Sequence, residues 1–514
     1  MPIAPIPDAQ VPALPPAIEL VGIDKRFGGV HANRDIHLTV DKGSIHGIVG
    51  ENGAGKSTLM SILYGFYQAD HGRILVDGRE VRIRSSADAI GLGIGMVHQQ
   101  FMLVETFTVL ENVILGAEGA PRLAAAESRA RGLIERLARD YGLTVDPDRI
   151  VGELSVGEQQ RVEILKALFR GAETLILDEP TAVLTPAEAD HLFRILRRLQ
   201  AEGKTVVIIT HKLREIMAVT DTVSVMRRGE VVATWPTAAT TVERIAEAMV
   251  GRRVLLHVPK ASSVPGRTLL AVEGLDVRDG RGARLVEGVT FDVRAGEIVG
   301  IAGVAGNGQS ELLETIAGIR RPSAGSIRLG AEAIGGLDPA AIRALGLAHV
   351  PEDRHRMGLV LALEAWENVM LGYQDDPAYQ AGVLIDGRAV RAAATDRFRG
   401  YDVRPPDIRL RTGLFSGGNQ QKIVIGREME RDPDVLLVGQ PTRGVDIGAI
   451  EFIHRRLIAL RDRGKAILLV SAELDEIRSL ADRVLCMCGG RIVGECRPET
   501  PEADIGLMMA GVAA

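Results

Sequence analysis

Gly50, Glu51, Asn52, Gly53, Ala54, Gly55, Lys56 and Ser57 match the pattern G-x-x-x-x-G-K-[ST]. Such a loop suits phosphate. Its glycines let successive backbone N–H groups curve around an anion, and a helix opening at its end adds partial positive charge. Lys56 would neutralise β- and γ-phosphates, and Ser57 would hold Mg²⁺. The strand-like run Ser44–Val49 leads into the loop and the apolar run Thr58–Leu63 leads out of it, the context this motif requires. Further on, Leu175-Ile176-Leu177 ends in Asp178-Glu179. A buried strand that emerges with two carboxylates needs a partner for their charge. Asp178 suits the metal side, directly or through water. Glu179 would orient and deprotonate an attacking water.

The elements that must position these groups occur twice. Residues 36–62 resemble 289–316, so that Lys56 falls on Gln309, and Gly95–Gln99 aligns with Ala348–Glu352. Leu154–Gln160 aligns with Phe415–Gln421, 175–181 with 436–442, and 208–216 with 469–477. The spacing changes once, by eight residues, between the second and third of these blocks. This is a duplicated domain with one insertion. Within each copy, apolar runs such as Leu175–Leu177 and Thr205–Ile209 alternate with helical stretches, which predicts an α/β fold with a mostly parallel sheet. The expected boundaries are a proline-rich tail at 1–16, a first domain at 17–250, a linker at 251–268 and a second domain at 269–510.

Composition narrows the class. At 514 residues the chain is too long for one core. A net charge of −6 argues against a protein that grips nucleic acid by bulk charge. No run of 18 apolar residues is present to span a bilayer. The six prolines of Met1–Pro16, without a cationic and apolar leader, predict a disordered tail rather than a secretory signal. The three cysteines, Cys486, Cys488 and Cys496, suit a reducing cytosol, and their strand-like alternation suits a structural role better than a metal site.

Leu154-Ser155-Val156-Gly157-Glu158-Gln159, placed between the loop and the acids, resembles the LSGGQ signature of ABC ATPases, and Phe415-Ser416-Gly417-Gly418-Asn419-Gln420 resembles it more closely. The resemblance covers residues 17–510. It implies two tandem P-loop ABC nucleotide-binding domains, each a mostly parallel sheet core with a helical subdomain and an antiparallel β subdomain. It further implies that the halves clasp ATP and Mg²⁺ head to tail, each site joining the phosphate loop and acids of one half to the signature of the other. On that resemblance Phe27 stacks on adenine, and Gly50–Thr58 with Ser416, Gly417, Gly418 and Asn419 bind ATP. Ser57, Asp178 and Gln99 face the metal, while Glu179, His211 and Gln99 serve hydrolysis.

The second copy keeps the glycines Gly303 and Gly308 and the serine Ser310 but loses the chemistry. Lys56 becomes Gln309, Gln99 becomes Glu352, Asp178 becomes Gly439, Glu179 becomes Gln440, and His211 becomes Ala472. Gln440 cannot take a proton from water, and Gln309 cannot neutralise phosphate. The signatures erode in the opposite sense. Val156 and Glu158 depart from the pattern that Ser416-Gly417-Gly418 keeps, and Asp446 keeps a family acid that Thr185 replaces. Head-to-tail pairing therefore predicts one competent site and one degenerate site, the latter built with Ser155.

Two fused halves with a short linker resemble the ATPases of ribose, galactose and nucleoside importers. The runs 95–116, 303–312 and 439–454 look most like the nucleoside branch. This implies two integral-membrane permease subunits, an extracytoplasmic solute-binding protein, no nucleic acid, and a place on the cytoplasmic face of the membrane. The permeases' short cytoplasmic helices would dock beside Gln99 and Glu352. The alternatives are a monosaccharide importer ATPase and, from another class, a soluble twin-ABC protein acting on ribosomes. The latter expects both acid pairs intact and a long charged linker. A non-catalytic scaffold sits poorly with the intact first loop, and a DNA-repair or chromosome ATPase would need coiled-coil or zinc insertions.

Overall fold

The structure is a computed structural model. It describes residues 15–98, 101–116, 123–181, 184, 186–210, 212–253, 255, 258–304 and 306–511. Gln99, Thr185, His211 and residues 1–14 of the expected tail lie outside these residues. The chain folds as two compact units, Met1–Val254 and Leu255–Ala514.

Among the described residues of the first unit, six strands lie side by side in the order Glu230–Pro236, Thr222–Arg227, Ile45–Gly50, Thr205–Ile209, Thr174–Asp178 and Ile94–Val97. All are parallel except the outermost Glu230–Pro236. Ile45–Gly50 and Thr205–Ile209 are buried throughout, which is why they read as continuous rather than alternating apolar runs. An antiparallel sheet of Val30–Val40, Ile18–Phe27, His71–Val76 and Arg79–Val81 stands beside it. Its inner residues Ile18, Leu20, Ile23 and Ile36 share one core with Leu59, Met60 and Leu63 of the helix Lys56–Leu63 and with Ile48 and Val207 of the parallel sheet. The helix that leaves the phosphate loop is thus held by side chains from both sheets. A separate core joins the helices Val109–Ile114 and Val156–Phe169 to Leu175, Leu177 and Leu196.

The second unit repeats this plan. Its six-stranded sheet runs Leu347–Val350, Val435–Gly439, Ala466–Ser471, Ile298–Ala302, Arg483–Cys488 and Arg491–Cys496, with only the last antiparallel. An antiparallel sheet of Arg284–Arg294, Thr268–Arg278, Ala324–Leu329 and Glu332–Ala333 accompanies it. The helices Ala365–Met370, Gly387–Gly400 and Gly417–Met429 pack with Tyr401 and Phe415 into a helical layer. The α/β fold expected from the repeats is the one that forms.

The copies differ where the repeat spacing changes. The second unit carries a π-helical turn, Arg354–Gly358, and a hairpin of Gln380–Ala381 with Leu384–Ile385. Asn112 accepts the Val104 N–H at 2.7 Å and Asn368 accepts the Val360 N–H at 2.8 Å. This shared pin splits the extra residues into a part before Val360 and a part after Asn368. In the stretch 251–268, Gly251 (φ 81°) caps the helix Val242–Val250. Lys260 then pairs with Asp482 at 2.9 Å, Arg461 donates to the Ala261 carbonyl at 2.8 Å, and Thr268 already opens a strand. Cys486 is buried in its strand, where burial and Cys496 push its thiol up to about 12. Among the described residues no helix is long and apolar enough to cross a membrane.

Candidate functional site

The first phosphate loop is shaped by close backbone approach. Gly55 caps the helix Lys56–Leu63 at φ 98°, and a Cβ there would lie 2.2 Å from the Ala32 carbonyl oxygen. Only glycine fits. Asn33, fully buried, donates to the Gly55 carbonyl at 3.0 Å and ties the loop to the antiparallel sheet. Lys56 is 7% exposed, and its ammonium donates to the Gly50 and Glu51 carbonyls at 2.7 and 3.0 Å. The cation therefore sits inside the curve of the loop. The second loop ends on the same left-handed cap, with Gly308 at φ 97°. There the Gln309 amide donates to the Val304 carbonyl at 3.3 Å, and Glu311 enters the first helical turn where the first unit has Thr58. An acid at that helix end opposes phosphate.

At the mouth of the first loop the Ser57 hydroxyl hydrogen-bonds Asp178. Burial and the neighbouring Glu179 charge push the Asp178 carboxyl up, while Ser57 and Lys56 draw it back. Paired hard oxygen donors beside a phosphate loop fit Mg²⁺. Glu179 follows with φ 49°, its N–H donating to the Ile209 carbonyl at 2.8 Å. Left-handed backbone in a non-glycine residue is strained. Gln440 repeats it at φ 48°, with its N–H on the Val470 carbonyl at 2.8 Å. Its side-chain oxygen accepts the Ala472 N–H at 3.1 Å. The Ser310 hydroxyl donates to Glu352 at 2.5 Å, and burial pushes that carboxyl up.

The two signature turns carry different charge. Ser155 caps the helix Val156–Phe169 in a reciprocal box: its hydroxyl accepts the Glu158 N–H at 3.3 Å, and Glu158 accepts the Ser155 N–H at 2.8 Å. That backbone hydrogen bond holds the Glu158 carboxyl below the usual range, and the Arg149 guanidinium pairs with it at 3.2 Å. Ser416 caps the helix Gly417–Met429, whose first turn is Gly417, Gly418 and Asn419. Its hydroxyl accepts from the Asn419 amide at 2.8 Å. The first turn of this second helix carries no acid of its own, and Asp446 Oδ2 lies 3.5 Å from where a Cβ on Gly418 would stand.

A family described as ABC transporter matches residues 33–182 and, a second time, 286–443. The chain belongs to the ABC transporter family. It is a transport ATPase built from two ABC units. The guanosine import ATP-binding protein NupO of Bacillus subtilis is 48% identical over 96% of this chain and 97% of its own. The nucleoside import ATP-binding protein NupA of Lactococcus lactis is 46% identical over 96% and 98%. The glucose import ATP-binding protein TsgD13 of Haloferax volcanii is 44% identical over 96% and 96%. A solved complex of archaeal ribosomal stalk protein aP1 and ribosome recycling factor aABCE1 matches with a TM-score of 0.62, covering 93% of this chain and 90% of that one. At 21% identity that likeness shows the fold alone.

In the first ABC unit Phe27 is 41% exposed and meets Tyr67 edge-on with centroids 5.1 Å apart, while the Lys25 ammonium lies 5.4 Å from its ring. Tyr67 escaped the sequence reading because only the fold brings it beside Phe27. The box on Ser155 did have a signal, since S-x-x-E ahead of an apolar run marks such a cap. A cavity of about 240 Å³, lined by Phe66, His98, Met102, Glu163 and Lys166 among others, lies next in sequence to Gln99.

Proposed function

We propose that this ABC protein hydrolyses ATP at one site only, assembled from the phosphate loop and acids of the first unit and the signature turn of the second. Residues 17–250 and 269–510 are then the two working domains. The backbone N–H groups of Gly50–Thr58 and the Lys56 ammonium hold the phosphates. Phe27 stacks on the adenine. Ser57 and Asp178, with Gln99, hold Mg²⁺, which when bound neutralises charge on the β- and γ-phosphates. Glu179 orients the attacking water and accepts its proton. His211 contacts the γ-phosphate from the end of the neighbouring strand. Ser416, Gly417, Gly418 and Asn419 close on that phosphate with the N–H groups of a helix end. The reverse pairing joins Gln309, Glu352, Gly439, Gln440 and Ala472 to Ser155 and is hydrolytically silent.

The observation that carries this is the matched distribution of kept and replaced groups. Lys56, Asp178 and Glu179 stand in the unit whose signature is altered at Val156 and Glu158, while Ser416-Gly417-Gly418 stands in the unit whose loop lysine and acids are replaced. The direct test is the ATPase rate of Glu179→Gln and Gln440→Glu with membrane partners present. Full activity in Glu179→Gln ends the proposal.

The cycle drives solute import. The protein works with membrane permeases and a solute-binding protein, two permease subunits per complex, on the cytoplasmic face. A short cytoplasmic helix of one permease docks in the cavity beside Met102 and Lys166. Nucleosides are the proposed solute, supported by the relatives named for guanosine and nucleosides at 48% and 46% identity. The glucose relative at 44% keeps a monosaccharide as the second reading. ATPase stimulation by nucleoside-loaded against sugar-loaded binding protein separates them.

A further inference from the structure

The π-helical turn Arg354–Gly358 has no counterpart among the described residues of the first unit, and its two leading side chains lie against the second signature. Asp353 fixes the turn by accepting the His355 and Arg356 N–H groups at 2.9 and 3.1 Å. His355 Nε2 then meets Gln420 Oε1 at 2.7 Å. The Gln420 amide already donates to the Thr412 and Phe415 carbonyls at 3.2 and 3.0 Å. Gln159 in the first unit makes the equivalent bonds to Val151 and Leu154, at 3.3 and 3.2 Å. The histidine is the added partner. Arg354 Nη1 donates to the Arg443 carbonyl at 2.9 Å. Its Nη2 lies 2.7 Å from where a Cβ on Gly417 would stand, and the Gly444 carbonyl lies 3.0 Å from the same point. Arg354 and the Gly444 carbonyl thus occupy the flank of Gly417, whereas Val156, the equivalent residue, is 40% exposed.

We propose that Arg354 and His355 are positioning residues that set the Ser416–Gly418 turn for hydrolysis at the first phosphate loop. The π turn gives that signature a two-point brace. Arg354 holds it against the turn that follows Val435–Gly439, and His355 holds the glutamine that pins its first helical turn. Short π segments gather at functional sites, and a displacement of about 1 Å in a group that contacts the reacting phosphate can lower turnover about a hundredfold. As positioning residues their effect falls on turnover and not on binding. The proposal rests on the cross-unit site described above.

The test uses the full chain with its membrane partners and measures kcat, KM for ATP and equilibrium ATP binding. His355→Glu and His355→Gln are near-isosteric; Gln can donate to Gln420 and a carboxylate cannot. Expected is a kcat about tenfold lower in His355→Glu and in Arg354→Ala, unchanged KM and ATP affinity, and near-complete recovery in His355→Gln. Equal kcat in His355→Glu, His355→Gln and the parent overturns the proposal, as does a loss expressed as a raised KM. Ser416→Arg separates the two levels. If it abolishes turnover while Arg354→Ala and His355→Glu leave it intact, the brace fails alone. If it too leaves turnover intact, the cross-unit site fails with it.

Discussion

Glu352 occupies the space that a side chain at position 439 would need: a Cβ built on Gly439 would lie 2.5 Å from Glu352 Cγ and 2.9 Å from its backbone nitrogen. The carboxylate that the first unit carries at the end of Thr174–Asp178 has, in the second, moved to the neighbouring strand's exit, where Ser310 donates to it. Gly439→Asp should therefore destabilise the second unit by about 1–3 kcal/mol through overpacking and install no ATPase activity. Glu352→Ala in the same chain should recover part of that loss, because it removes the Cγ contact and leaves the backbone one. Denaturant midpoints of the two single variants and the double variant measure the coupling.

Removal of the water-activating carboxylate should be one-sided. Glu179→Gln should lower the ATPase rate by about 10²–10³, and Gln440→Glu should leave it unchanged. Steady-state phosphate release in the assembled transporter decides both.

Charge at the second signature helix should move stability and turnover in opposite directions. Asn419→Asp places an acid in the first turn, which favours the helix by about 0.3–1 kcal/mol, yet it faces the γ-phosphate with like charge. The expected result is an unchanged or raised unfolding midpoint with an ATPase rate about tenfold lower. Glu158→Ala should behave conversely, losing about 1 kcal/mol of capping with turnover intact.

Phe27→Ala should raise the KM for ATP about tenfold, since stacking of one base on one aromatic ring contributes about 1–3 kcal/mol. Its kcat should be retained. The same measurement with GTP tests stacking in general, because any purine presents a face to the ring.

Each unit holds a buried neutral histidine, His46 on the strand before the first loop and His349 on the edge strand of the second unit, and burial lowers both to about 4. Between pH 6.5 and 4 the unfolded chain binds protons that these histidines do not. Their stability contribution is complete above pH 6.5 and is lost as pH falls toward 4, on the order of 3 kcal/mol each. His46→Gln and His349→Gln should each flatten the fall in denaturant midpoint between pH 7 and pH 5.

What could be read from residue order alone was whatever lies in a contiguous run. The loop at 50–57, the acids at 178–179 and both signatures are such runs, and their flanking apolar strands and helices predicted the α/β fold that forms. The duplication also placed the substitutions that separate the units. Relations between side chains on different elements were not legible. Glu352 was read as a replaced glutamine, and only the parallel pairing of Leu347–Val350 with Val435–Gly439 puts it against Gly439. The change in repeat spacing announced an insertion but not its π-helical winding, which depends on Asp353 accepting two backbone N–H groups. The tail at 1–14, with Gln99 and His211, lies outside the described residues.

The shared left-handed conformation of Glu179 and Gln440 has an evolutionary consequence. A non-glycine residue there disfavours folding by about 1 kcal/mol or more, a burden that selection for catalysis can maintain only in the first unit. In the second the Gln440 side chain offsets the burden by accepting the Ala472 N–H. Gln440→Gly should therefore leave the stability of that half nearly unchanged at no loss of transport, while Glu179→Gly would remove the whole function. Descendants of this chain are thus free to drift at position 440 and held fast at 179.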